Sequence, residues 1–264
     1  MLELKDLCKT FYKGEPGEKR ALHHLNLTFD DGDFITVIGG NGAGKSTMLN
    51  AIAGTYRVDS GQILLNGRDI TQLGEHQRAA FLGRVFQDPM TGTAATMTIE
   101  ENLALAYRRG QKRGLRSYIG REERKIYRDK LAMLGLGLEN RMNAQVGLLS
   151  GGQRQALTLL MATLRKPEML LLDEHTAALD PKTAKTVLHL TREIVEEEHL
   201  TALMVTHNMK DALQYGNRTV MLDEGTLILD LQPETKQNTD VSDLLTMFEK
   251  ASGHALMNDR MLLG

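Results

Sequence analysis

The run GGNGAGKST begins at Gly39, directly after the apolar stretch FITVI (residues 34–38) and directly before a helix-like stretch at residues 45–54. Gly39, four intervening residues, Gly44, Lys45 and Ser46 have the spacing of a phosphate cradle. Glycines let successive backbone N–H groups turn inward around phosphate oxygens, and a helix start adds the positive end of its dipole. Gly39, Asn41, Gly42, Ala43 and Gly44 form that wall, and Lys45 is a point charge for the β and γ phosphates of a nucleotide. Ser46 offers a hydroxyl to Mg²⁺, and Thr47 a cap or a contact to the α phosphate. A nucleotide with Mg²⁺ is the expected ligand pair, as in kinases, GTPases, motors and transporters alike.

A second chemical group follows in MLLLDE, where four apolar residues deliver Asp173 and Glu174 to a strand end. Asp173 has the place of a carboxylate that holds Mg²⁺ through water. Glu174 can then polarise an attacking water as general base. His207 follows another apolar run, in ALMVTHN, where it can donate to a γ-phosphate and orient that water. A third group is LSGGQRQAL, where Ser150, Gly151 and Gly152 open a helix with one apolar face and make a second anion site.

These groups need a frame that puts strand ends beside helix starts. β-like runs at residues 34–38, 169–172 and 201–206 alternate with helix-like stretches at 45–54 and 181–198, the rhythm of a parallel sheet. Residues 21–29, 63–65 and 220–229 read as strands joined by turns. Residues 98–141 lose the strand rhythm and read as helical, an insertion that extends to about residue 156. The expected fold is α/β: a P-loop NTPase core with a parallel sheet, a flanking antiparallel β portion and an inserted helical subdomain. After Leu231 the chain turns polar, then SDLLTMFEK predicts a short amphipathic helix capped by Ser242, too little for another domain.

Composition excludes several classes. A hydrophobic content of 41% with 25% charged residues rules out a disordered chain, and a net charge of -2 gives no global pull toward nucleic acid. The single cysteine, Cys8, is expected in the core, in a reducing compartment. The N-terminal MLELKDLCKTF lacks the pattern of a secretory signal, and no run of about 18 apolar residues occurs, so membrane work requires a partner.

Taken in order, GGNGAGKST, Gln87 in VFQDP, LSGGQ, LLDE, the AALD segment ending at Asp180, and His207 resemble the ABC ATPase family over residues 1–230. The resemblance implies an ATPase working as a head-to-tail pair, most simply a homodimer. Ser150, Gly151, Gly152 and Gln153 of one copy would then contact the γ-phosphate held by the other, with Asp180 at the same interface. It gives Gln87 a contact to Mg²⁺ or water, and an aromatic near the start a stack on adenine: Phe11 by register, Tyr12 second. His175 stands where many members have proline, which implies altered turn geometry and no catalytic role.

One uninterrupted cassette is similar to the detached ATPase subunit of a bacterial importer, within that group to those serving branched-chain-amino-acid-type permeases, including aromatic amino-acid systems. The resemblance implies a place at the cytoplasmic face of the membrane, an integral permease, and an extracytoplasmic substrate-binding protein. An exporter subunit is the nearest alternative, and an ATPase of ribosomes or nucleic acid the alternative of another class; no nucleic acid is expected as partner. The basic stretch 107–128 has two main readings, with RNA binding as a further alternative. One is a solvated surface with local ion pairs, such as Glu122 or Glu123 with Arg124 or Lys125. The other is a face toward permease loops or anionic headgroups.

Overall fold

The computed structural model describes residues 1–111 and 119–253. The chain forms two compact units, Met1–Arg78 with Leu200–Gly264, and Ala79–His199.

The first unit opens with β1 (Leu2–Phe11) and β2 (Lys19–Phe29), an antiparallel pair, followed by β3 (Phe34–Ile38) and α1 (Lys45–Ala53). Next come β4 (Ser60–Leu65), β5 (Arg68–Asp69) and the single turn α2 (Glu75–Arg78). The antiparallel sheet runs β2-β1-β4-β5, which confirms the strands expected at residues 21–29 and 63–65. In the C-terminal half of β2, buried Leu25, Leu27 and Phe29 alternate with exposed Asn26 and Thr28, the pattern of a strand with one covered face. Cys8 is only half-buried in β1, where its Sγ accepts from the His24 N–H at 3.4 Å; the expected core position is corrected, because the β1 register slips on either side of it.

The second unit holds β6 (Leu82–Val85), α3 (Ile99–Tyr107), α4 (Arg121–Met133), α5 (Gly151–Thr163), β7 (Met169–Asp173) and α6 (Pro181–Glu197). β6 and β7 are parallel, with Val85 opposite Leu172. Thr98 caps α3 with a reciprocal box to Glu101. Of the basic stretch, residues 112–118 lie outside the described residues. Arg108 pairs with Glu123 at 2.8 Å, Arg124 with Glu100 at 2.8 Å, and Arg109 donates to the Ala162 and Arg165 carbonyls. Local ion pairs therefore form, but across helices rather than between the sequence neighbours that were expected.

The chain then returns to the first unit with β8 (Ala202–Val205), α7 (Met209–Gln214), β9 (Arg218–Asp223), β10 (Thr226–Leu231), α8 (Pro233–Lys236) and α9 (Val241–Ser252). β3 lies between β8 and β9, parallel to both, and is buried along its whole length. Such two-sided burial explains why it reads as an unbroken apolar run. β9 and β10 are the expected antiparallel strands, yet β9 also serves the parallel sheet. The helix expected in the tail is α9, and its Leu244 and Phe248 pack with Ile38, Met209 and Met221. Its cap is Asp240 and not Ser242: the Asp240 carboxylate accepts from the Asp243 N–H at 2.8 Å and from the Ser242 hydroxyl at 2.7 Å. A carboxylate at a helix start outbids a hydroxyl because it is charged.

Arg78 closes α1 from the far end. It is 1% exposed, and its guanidinium donates to the carbonyls of Ala51, Ile52, Leu73 and Thr71 at 2.7–2.9 Å. Burial lowers its pKa to about 10, which still leaves it charged. The last carbonyls of α1 thus gain a cation where the helix dipole favours one. Arg78→Met keeps the stem but strands those oxygens, and is expected to cost about 3 kcal/mol. Thermal unfolding followed by circular dichroism measures it; an unchanged midpoint would remove Arg78 from this role.

Candidate active site

The first unit carries the phosphate loop. After β3 the backbone passes through Gly39 (φ 147°), Gly42 (85°) and Gly44 (102°) before α1 begins. A Cβ on Gly39 would stand 2.2 Å from the Leu222 carbonyl oxygen, and one on Gly44 2.5 Å from that of Ala21. Neither position can hold a side chain. α1 starts without a side-chain cap, so no capping side chain competes with an anion at its N-terminus. Lys45 is 7% exposed, and its ammonium donates to the Gly39 and Gly40 carbonyls at 2.7 and 3.1 Å, folded back across the loop. Asn41, Gly42 and Ser46 are exposed, Thr47 is half-buried and Ala43 buried.

Val37 of β3 lies opposite Val205 of β8, and the Thr206 N–H donates to the Val37 carbonyl at 3.1 Å. His207 therefore leaves its strand at the edge from which the phosphate loop leaves β3. Phe11 closes β1 with its ring edge-on to Tyr56, centroids 5.3 Å apart, and the Lys9 ammonium 5.4 Å from its centre. Tyr12 is 68% exposed in the left-handed region. Of the two aromatics, Phe11 has the ring fixed in orientation.

Sequence reasoning missed Lys19. It pairs with Phe11 across the hairpin, and its ammonium lies 3.1 Å from where a Cβ on Gly42 would be. A second cation thus hangs over the loop, and a lone lysine at a strand start carries no motif that could announce it.

The second unit gathers the other residues. Asp173 ends β7, 18% exposed in its side chain, and Arg84 of β6 meets its carboxylate at 3.2 Å. Burial pushes the Asp173 carboxyl up, the Arg84 charge pulls it down, and neighbouring Glu174 pushes it up again. Arg84 is the second residue that sequence reasoning missed; its only signal is its place two residues before Phe86 on a strand paired with β7. Glu174 takes a left-handed backbone, φ 44°, and its carbonyl accepts from the Ala177 N–H at 2.9 Å. That strained turn aims the chain away from β7. His175 is 2% exposed, its Nε2 3.0 Å from the Thr191 hydroxyl of α6. It therefore does more than alter the turn, because it ties the residue after Glu174 to the next helix.

Ser150 caps α5 as expected: its hydroxyl accepts from the Gln153 N–H at 3.3 Å, while the Gln153 side chain accepts from the Ser150 N–H at 3.2 Å. A Cβ on Gly152 would lie 2.1 Å from the Thr183 methyl, and one on Gly151 3.3 Å from Leu179. The glycines let α5 and α6 begin side by side, so Asp180, the α6 cap that accepts from the Thr183 N–H at 3.1 Å, stands beside the signature segment. Gln87 is exposed, and the carbonyl of Phe86 before it accepts from the buried Gln155 amide at 3.2 Å.

The family model described as ABC transporter matches residues 22–177. The chain belongs to the ABC transporter family. Among relatives of this ABC ATPase, the tyrosine transport ATP-binding protein of Clostridioides difficile is 46% identical over 95% of this chain and 100% of its own. The phosphonates import ATP-binding protein PhnC of Alcaligenes faecalis is 35% identical over 99% of this chain and 92% of its own. Among solved structures, the dimeric post-hydrolysis state of the ATP-binding cassette MJ0796 bound to ADP and Pi superposes with a TM-score of 0.75 at 31% identity, covering 88% of this chain and 99% of that one. These similarities confirm the P-loop α/β fold and the ATPase activity expected from the sequence, and imply a dimeric cassette served by a membrane permease.

Burial lowers the His175 pKa to about 4. An unfolded chain takes up that proton near pH 6.5, so stability is full above pH 6.5 and declines as pH falls toward 4, by roughly 3 kcal/mol in all. Denaturant unfolding should show the gap between the parent and His175→Asn narrowing from pH 7 to pH 4.5; a constant gap would mean His175 is charged in the fold. Lys19→Met should weaken nucleotide binding three- to tenfold at low salt, about 1 kcal/mol, with the difference shrinking at high salt. Calorimetric titration with ADP tests this, and equal affinities would take Lys19 off the phosphates.

Proposed function

We propose that this ABC ATPase drives uptake of an amino acid, of the aromatic kind, through a separate membrane permease. The observation that carries the reading is the end-to-end similarity to a tyrosine transport ATP-binding protein. The relative named for phosphonate import supports inward transport. No helix among the described residues is long and apolar enough to cross a membrane, which supports a peripheral place at the cytoplasmic face, held by the permease. An extracytoplasmic binding protein completes such a system. The internal pairing of Arg108, Arg109 and Arg124 favours a structural use of the basic stretch over nucleic-acid binding.

In this reading Phe11 supplies the face on which adenine stacks, with Tyr12 the second candidate. Gly39, Asn41, Gly42, Ala43, Gly44, Lys45 and Thr47 hold the phosphates, and Lys19 adds charge from the hairpin. The donor set fits Mg²⁺: a serine hydroxyl at Ser46, an amide oxygen at Gln87, and at Asp173 a carboxylate raised by burial that gains from a cation. When bound, Mg²⁺ neutralises charge that develops on the phosphates. Glu174 accepts the proton of the attacking water, its backbone turn fixed through His175 and α6. His207 donates to the γ-phosphate oxygen. Ser150, Gly151, Gly152, Gln153 and Asp180 serve the nucleotide of a second copy, arranged head to tail.

Glu174→Gln should keep nucleotide binding and lower turnover by about a hundredfold or more, trapping an ATP-bound dimer. Tagged Glu174→Gln protein with Mg²⁺-ATP, recovered from solubilised membranes of its host, is expected to bring down a multi-span permease, and the host carrying Lys45→Ala to lose tyrosine uptake. Ribosomes or nucleic acid in place of the permease would overturn the transport reading, and intact uptake would overturn the substrate.

A further inference from the structure

We propose that Arg84 is a resident counter-ion that competes with Mg²⁺ for Asp173 and, clasped to the Phe86 ring, ties the metal position to the loop carrying Gln87. The inference rests on the reading of Asp173 as a metal ligand and adds to it a residue which that reading does not use.

Three contacts within the second unit carry it. The Arg84 guanidinium meets the Asp173 carboxylate at 3.2 Å, with side chains only 14% and 18% exposed. Water screens a pair at that depth poorly, so the two charges feel one another strongly. The same guanidinium lies 4.5 Å from the centre of the Phe86 ring, a stacking geometry suited to its planar, weakly hydrated cation. The backbone of Phe86 is in turn fixed, since its carbonyl accepts from Gln155 of α5, a side chain with no exposure.

Charge then decides what a metal does. Asp173 and Glu174 together bring two negative charges to the end of β7, and one guanidinium already answers Asp173. A divalent cation arriving there with its nucleotide would set a like charge beside the guanidinium, and the two would compete for the Asp173 oxygens. The hold of the guanidinium on the carboxylate weakens when Mg²⁺ arrives. A side chain held between a carboxylate and an aromatic ring cannot leave the first without changing its seat on the second. Phe86 precedes Gln87, so the loop is informed of metal occupancy through one residue.

The test uses full-length Glu174→Gln protein loaded with a non-hydrolysable ATP analogue, with Mn²⁺ binding read by electron paramagnetic resonance. Arg84→Gln should tighten Mn²⁺ about tenfold, the effect expected when a like charge is removed from beside a ligand. Arg84→Lys should retain the parent affinity. The chain has no tryptophan, so Phe86→Trp supplies a single, selectively excited tryptophan whose emission should change on adding Mg²⁺ and stay flat once Arg84 is Gln or Lys. If Arg84→Gln lowers the melting temperature but leaves Mn²⁺ affinity as in the parent, Arg84 is structural and the inference fails. Asp173→Asn separates the two levels: unaltered Mn²⁺ binding there overturns the metal reading itself, whereas lost binding beside an inert Arg84→Gln overturns only the role of Arg84.

Discussion

The carbonyl oxygen of Leu222 stands where any side chain at position 39 would have to go. That contact, with its counterpart between Gly44 and the Ala21 carbonyl, presses the phosphate loop against β9 and β2, backbone to backbone. A loop that must present N–H groups to a polyanion needs a fixed shape, because every amide free to rotate away would lose its contribution. The shape is imposed by strands that were packed for other reasons. β3 is buried along its length between β8 and β9, in parallel register with each, and the loop begins where that register ends. Arg78 secures the opposite end of α1, so the helix that aims its dipole at the loop is anchored at both termini.

The second unit solves a harder problem, since its working groups are acidic and half-buried. Asp173 is tolerated at the end of an apolar strand because Arg84 answers it. Glu174 holds a left-handed backbone that a glutamate avoids unless its surroundings impose it. His175 is part of that imposition: buried and bonded to Thr191, it pins the chain immediately after the strained residue. Where proline would restrict the turn through its own ring, this chain restricts it through a side-chain contact to α6.

Those differences explain what the sequence could and could not convey. The phosphate loop, the strand before it and the cap at Ser150 were legible because each depends on residues adjacent in the chain, whose spacing alone implies the local geometry. β9 was read as antiparallel only, since its pairing with β3 joins segments some 180 residues apart, and no local pattern records a parallel neighbour. Lys19, Arg84 and the burial of His175 were invisible for the same reason: each acts through a contact made by register or packing. Ser242 was expected as the cap of α9; Ser and Asp both suit that place in type, and the observed hydrogen bonds assign it to Asp240.

The two helix starts built for phosphate differ in a way that orders their use. α1 has no side-chain cap, and its glycine loop is braced by close backbone contacts. It is preorganised, so binding there loses little to rearrangement. α5 has a complete reciprocal cap, in which the Ser150 hydroxyl and the Gln153 side chain satisfy each other's backbone. That box uses only the Ser150 and Gln153 N–H groups, so the Gly151 and Gly152 N–H groups, the Ser150 hydroxyl proton and the Gln153 amide hydrogens remain as donors. A helix end that is already capped gains less from an anion than an uncapped one. In the proposed reading, the loop at Lys45 captures the nucleotide first and the signature segment at Ser150 of a second copy adds its donors once the phosphates are fixed in place, the order that a closing pair of cassettes requires.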